Sequence, residues 1–165
     1  MRELKQPVIA PDAHVKAGAV IVGDVQVGSR SSIWHNVVIR GDLGAIKIGQ
    51  RTSVQDCSVL HSEDYLPTMV IGDDVTVGHA CILHGCTIGN ASMVGMGSIV
   101  MNGARIGEYC IVGAGSLVTQ DAVIPDGMMA FGRPAKAVRP VTDAERQFLI
   151  DHAREYAELG EETPD

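Results

Sequence analysis

His79 and His84 stand five residues apart in the aliphatic stretch VGHACILHGC, and His61 closes a similar stretch, SVLH. Imidazole is the commonest metal ligand among side chains, so three of them brought together would hold a transition-metal ion. On an α-helix a spacing of five turns the second side chain about 140° from the first, and on one strand an odd spacing sends the two to opposite faces. No single regular element joins them, so their convergence depends on the fold.

The fold is written in a six-residue period. Aliphatic residues recur at Ile9, Val15, Ile21, Val27, Ile33 and Ile39, again at Ile48, Val54 and Leu60, then at Ile71, Val77 and Leu83, and finally from Ile88 every sixth residue to Ile124. A small or β-branched residue follows four positions on, for example Ser31, Thr52, Val75, Cys81, Ser92 and Cys110. This hexapeptide pattern predicts a parallel β-helix in which each rung is one side of a prism and three rungs make a coil of about 18 residues. The rungs from Ile9 to Ile124 make about six coils, stacked at roughly 4.8 Å, with the aliphatic column inward. Cys81 and Cys110 then read as core filler.

Rung counting places the candidate chemistry. Rungs three apart share a face, so Ile39, Leu60, Leu83 and Val100 stack, and the residue after each faces outward. Arg40, His61, His84 and Met101 form one external column, with His61 and His84 about 4.8 Å apart at the backbone. The preceding face carries Gln55, Asp56 and His79, with Trp34 one coil below. His79 therefore points away from the other two, and one ion could reach all three only if this face docked against the histidine column of another subunit. Such a contact is heterologous and closes into a ring, a trimer being natural for a three-sided prism. By spacing alone, the competing reading is that these are surface polar residues. His14 and His35 have no partners in this register.

The period slips three times: by three extra residues between Ile39 and Ile48, five between Leu60 and Ile71, and one missing between Leu83 and Ile88. Two slips lie beside histidines, and insertions in a solenoid emerge on one side, often the binding side. Toward the C-terminus the style changes. In VTDAERQFLIDHAREYAEL, Thr142 and Glu145 form a capping box, and Phe148, Leu149, His152, Ala153, Tyr156 and Leu159 recur at helical spacing. The reading is a single domain over 1–165, all-β with a C-terminal α-helix: a β-helix over 8–135 and a helix over 141–160 packed along the prism. His152 and Tyr156 are read as packing or surface residues.

Composition excludes several classes. With 45% hydrophobic residues the chain can build a core, and with 4% aromatics and 19 glycines that core is aliphatic and turn-rich. A net charge of -7 excludes nucleic acid as a partner. No apolar stretch is long enough for a membrane span and MRELKQPVIAP lacks a secretory h-region, so the expected compartment is cytoplasmic. The four cysteines form no CxxC pair, and reduced thiols are expected.

Together, RGD at 40–42, VQD at 54–56, LH at 60–61 and GHACILHGC at 78–86, set on hexapeptide repeats and followed by GRPAK, resemble the gamma-class carbonic anhydrase family over about residues 8–160. The resemblance implies a left-handed β-helix, a homotrimer and a zinc or iron ion at each subunit interface, held by His61 and His84 of one subunit and His79 of its neighbour. It implies a lyase that reversibly hydrates carbon dioxide to bicarbonate. Three neutral nitrogens leave a coordination position open, and the metal lowers the pKa of a bound water from 15.7 toward about 7, supplying hydroxide. By the same likeness Gln55 orients that hydroxide, while Arg40, Asp42 and Asp56 form interface ion pairs and help place bicarbonate. Three imidazoles accept zinc, iron(II) or cobalt.

The chain departs from the archetype in two places. Leu43 stands where a glutamate follows Arg-Gly-Asp, and the short SEDYLPTM replaces an acidic loop that carries a proton shuttle, leaving Glu63 and Asp64 as possible substitutes. The alternatives are an acyl-CoA thioesterase using the same hydroxide and a non-catalytic metal-binding trimer. A hexapeptide acyltransferase needs only one catalytic base and fits three clustered histidines less well. Cys86 follows His84 closely and is read either as near the site or as a turn residue.

Overall fold

The structure, a computed structural model, describes residues 4–164. Short parallel strands climb a three-sided prism. One face stacks Val59–His61, Ile82–His84, Ile99–Val100 and Leu117–Val118, and a second stacks Met69–Ile71, Thr87–Ile88, Arg105–Ile106 and Val123–Ile124. Two long strands, Val20–Val27 and Val38–Ile48, turn the corner between these faces and join them into one sheet. The third face runs from His14–Val15 through Ser32–Ile33, Ser53–Val54, Thr76–Val77, Met93–Val94 and Ile111–Val112 to Met128–Gly132.

The third face therefore carries seven parallel strands, and the solenoid has about seven turns rather than the expected six. The extra rung ends the ladder: Met128–Gly132 pairs in parallel with Ile111–Val112, and Ala130 stands opposite Val112. An alanine in the aliphatic column is invisible to a search for large aliphatics. An antiparallel strand, Ala135–Pro140, then folds back on this rung.

The inward column behaves as the period requires. Ile33, Ile39, Val54, Leu60, Val77, Leu83, Val94 and Val100 are all fully buried. Burying each such side chain contributes about 1.5–3 kcal/mol. Corner positions take small hydroxyl residues because the turn leaves backbone groups inside the prism. Ser31 Oγ donates to Gly49 O (2.7 Å) and accepts from Thr52 N (3.0 Å), and Thr52 Oγ1 repeats the pattern with Gly72 O and Val75 N one coil on. Each hydroxyl thus satisfies two buried backbone groups and ties adjacent coils together.

All three slips are resolved. Opposite Val20–Val27, the strand Val38–Ile48 shifts register between the pairs Gly23–Gly41 and Val25–Ile46, so its extra residues bulge at the corner beside Arg40. The second insertion is the loop 62–68, and the two insertions touch, Gly44 N donating to Ser62 O at 3.2 Å. The deletion tightens the corner after His84, where Gly85 adopts φ +56 and a side chain would strike Leu66. That tightening carries Cys86 into the core, fully buried. Its thiol is pushed up to about 12 by burial, so Cys86 follows the corner beside His84 as a core residue.

The C-terminal helix spans Asp143–Glu162, starting two residues later than expected because Thr142 is its N-cap. The capping box forms: Glu145 N donates to Thr142 Oγ1 and Thr142 N to Glu145 Oε2. The helix lies across the third face on Leu149, Ala153, Ala157 and Gly160. Small residues at the centre of that face let the backbone come close, while Phe148 and Leu159 are exposed at its margins. Tyr156 packs edge-on to Trp34 at 5.9 Å, and His152 packs against Tyr156, as packing residues do. The Trp34 indole N–H donates to Ser32 Oγ and Ser53 Oγ.

Candidate metal centre

Strand register brings the first set of candidate residues into line. Arg40 stands opposite His61, and His61 opposite His84, on successive coils of one face. The two rings lie 5.0 Å apart, with His61 Nδ1 3.0 Å from His84 Nε2. Two nitrogens bound tetrahedrally to one ion at 2.0–2.1 Å would be about 3.3–3.4 Å apart, so the pair already stands near ligand spacing.

The far sides of both rings decide what fills that gap. His84 Nδ1 is 2.5 Å from Asn102 Oδ1, and an amide oxygen only accepts, so Nδ1 carries the proton and Nε2 the lone pair. His61 Nε2 stands between Asp42 Oδ1 at 3.2 Å, which only accepts, and Arg40 Nη2 at 3.4 Å, which only donates, so its partner sets its tautomer. With Arg40 as partner, His61 Nδ1–H donates to His84 Nε2; with Asp42 as partner, both inward nitrogens carry lone pairs and the pair offers two donors to a positive ion. In that second form the anchored outer nitrogens are the support that metal-binding histidines commonly have.

Asp42 serves two partners, since Arg40 Nη2 lies 3.2 Å from its other oxygen and 3.4 Å from His61 Nε2. Desolvation pushes the Asp42 carboxyl up, but the hydrogen bond and charge of Arg40, with a smaller pull from His61, outweigh it and hold the group below the usual carboxylate range. Arg40 keeps about half its side chain exposed and can receive an anion. Glu63, on the inserted loop, has Oε1 3.9 Å from His84 Nε2 and completes a His61–Glu63–His84 cluster.

His79 lies in the turn that leaves the third face after Thr76–Val77, apart from that cluster. Its Nδ1 donates to Asp56 Oδ2 at 2.9 Å, which leaves Nε2 with the lone pair on a ring that is half exposed. Asp56 thus pairs with His79, and Arg40 with Asp42, inside one subunit. Gln55 is next to Asp56 and buried, but its side-chain amide makes no hydrogen bond among the described residues. His14 and His35 stand apart from the centre, His35 Nδ1 facing Ala17 O.

Two features escape the sequence reading. Asn102, the anchor of His84, follows Met101 without any motif to mark it. The other is a ridge of outward aliphatics, Val20, Val38, Val59, Ile82 and Ile99, in register beside the histidine column, with Val20, Val59 and Ile82 exposed. A contiguous apolar ridge next to half-buried polar ligands marks an interaction face.

Comparison with known proteins bears on the fold and the family. The model for the family "Bacterial transferase hexapeptide (six repeats)" matches residues 6–41 and 85–120, and such repeats indicate a left-handed β-helix. A protein of Geobacillus kaustophilus named "Carbonic anhydrase" is 44% identical over 157 residues, 95% of this chain and 86% of that protein. "Gamma carbonic anhydrase 2, mitochondrial" of Arabidopsis thaliana is 40% identical over 163 residues, and the chain spans only 58% of its length. A solved Bacillus cereus structure described as a candidate acetyltransferase superposes with a TM-score of 0.92 at 47% identity, covering 96% of this chain and 91% of that one. Among the described residues no helix is long and apolar enough to cross a membrane. With two relatives named as carbonic anhydrases, one of them gamma, at 40% identity or more across nearly the whole chain, on a hexapeptide solenoid, the chain belongs to the gamma carbonic anhydrase family.

Proposed function

We propose that the protein is a metal-dependent enzyme for the reversible hydration of carbon dioxide, working as a cytoplasmic homotrimer with its centre between subunits. The observation that carries this reading is the register of His61 and His84, whose inward nitrogens stand 3.0 Å apart with Asp42 and Asn102 against the outer ones. His79 of a neighbouring subunit supplies the third nitrogen. It is half exposed, its tautomer is set by Asp56, and it stands on a different face, so a face-to-face contact repeated around a ring completes the centre. The apolar ridge beside the histidine column provides the area for that contact.

When bound, a zinc, iron(II) or cobalt ion supplies Lewis acidity that makes water a nucleophile near neutral pH. The remaining work falls to the chain's own residues. Gln55 offers an unpaired amide to orient the reacting oxygen or a carbon dioxide oxygen. Arg40, steadied by Asp42, presents a fork that matches bicarbonate. Glu63 is the carboxylate beside His84, placed to take the proton that hydration releases, in the role left open by Leu43.

A second reading, a metal-holding trimer without turnover, is favoured by the exposed Leu43 where the archetype has a carboxylate. Stopped-flow carbon dioxide hydration on protein purified without oxygen, with metal counted per subunit and His84→Ala as control, separates the two. Metal-dependent turnover lost in His84→Ala supports the anhydrase. One metal per subunit with turnover no faster than the control supports the second reading.

A further inference from the structure

The inserted loop 62–68 carries Glu63 to the edge of the histidine pair, and its root holds a group that works against its present position. Ser62 is fully buried, and its Oγ is the one buried side-chain polar atom without a hydrogen-bond partner among the described residues. Its main chain is satisfied, Gly44 N donating to Ser62 O at 3.2 Å. A hydroxyl dried in this way opposes closure of the loop, because it regains water only when the loop lifts.

What holds the loop down is slight. Leu66, half-buried, lays its side chain in the notch that Gly85 leaves by having no Cβ. Leu66 N donates to Glu63 O at 3.1 Å, a bond inside the loop that travels with it. Tyr65 is 73% exposed, and its hydroxyl accepts from Asn102 Nδ2 at 3.5 Å, the outer limit of a hydrogen bond. Partial burial of a leucine and drying of a hydroxyl oppose each other with similar weight, each about tenfold in an equilibrium constant, so neither position is strongly favoured. We infer that loop 62–68 is a two-state lid, with Leu66 as its latch on Gly85 and the dry Ser62 hydroxyl as the group that keeps the latch from locking. Closed, the lid sets Glu63 Oε1 3.9 Å from His84 Nε2; open, it withdraws that carboxylate. The motion belongs to one subunit and needs no metal, while its use, bringing Glu63 to the reacting proton, rests on the proposed hydration.

The test is hydrogen exchange of the Gly44 amide, read by NMR on the full chain without metal, since that amide is bonded to Ser62 O while the lid is down. Val59 N, bonded to Cys81 O in the fixed ladder, is the internal reference. Ser62→Ala removes the dry hydroxyl and should slow Gly44 exchange about tenfold, while Leu66→Ala removes the latch and should speed it about tenfold, with Val59 unchanged in both. Unchanged or faster exchange in Ser62→Ala means that the hydroxyl has a partner, such as a bound water, and overturns the inference. Unchanged exchange in Leu66→Ala overturns it too. Carbon dioxide hydration is measured separately on the metal-loaded protein. Exchange that responds as expected without turnover counts against the anhydrase alone, and turnover with exchange indifferent to both substitutions counts against the lid alone.

Discussion

Asn102→Leu isolates the support of one metal ligand. The substitution keeps side-chain size but removes the oxygen that accepts from His84 Nδ1 at 2.5 Å. Without that acceptor the imidazole is free to place its proton on Nε2, the nitrogen that faces His61. Losing such an outer partner weakens metal binding by about 10–100-fold, or about 1.4–2.7 kcal/mol. The His84 side chain is 31% exposed, so water can replace part of the lost hydrogen bond and the effect should fall near tenfold. Zinc affinity measured by chelator competition should drop accordingly in Asn102→Leu, while Asn102→Asp, which keeps an oxygen in place, should hold or exceed the original affinity. In the metal-free protein, ¹⁵N shifts of His84 should report the Nδ1–H tautomer for the original residue and a mixture for leucine. A leucine variant that binds zinc within about twofold, with the His84 tautomer unchanged, would refute the reasoning.

Three further outcomes test the fold and its charges. Leu83→Ala, fully buried between Leu60 and Val100, should lower stability by about 2–5 kcal/mol in denaturant titration, and a loss under about 1 kcal/mol would contradict the stacked core. The Arg139 hydrogen bond, followed by the Thr142 backbone, holds the Glu145 carboxyl at about 2 against 4.5 for the free group. Because that pKa is depressed in the folded state, the contribution is present above about 4.5 and fades as pH falls toward 2. Glu145→Gln should therefore melt earlier than the parent at neutral pH, with the gap closing in acid; a gap independent of pH would count against the pairing. Native-state alkylation should modify exposed Cys57 first and spare Cys86, whose thiol is pushed up to about 12, whereas equal labelling of both would place Cys86 at the surface.

Much of this architecture is legible in the residues, for reasons that also mark the limits. A rung is six residues wherever the prism is regular, so counting from Ile39 to Leu60 and Leu83 puts Arg40, His61 and His84 in one column, as the strand pairs show. Counting fails where the period itself changes. The missing residue after Leu83 turns Cys86 inward, and Ala130 hides the last rung because its side chain is too small to register as a column member. The role of Asn102 depends on side-chain direction at a corner, which a linear period does not encode. The anchoring of His79 by Asp56 could have been inferred, since the two stand in adjacent coils of the same external edge.

The central claim is a metal centre shared between subunits, and mixed assembly tests it most directly. His79→Ala and His84→Ala chains, each purified alone, should bind little or no metal. When the two are unfolded together and reassembled, a ring containing both has one junction where intact His61 and His84 meet an intact His79. The account predicts that such mixed rings recover one tightly bound metal each. Mixed rings that remain as metal-poor as either parent, or a His79→Ala homo-oligomer that keeps its full metal content, would contradict it.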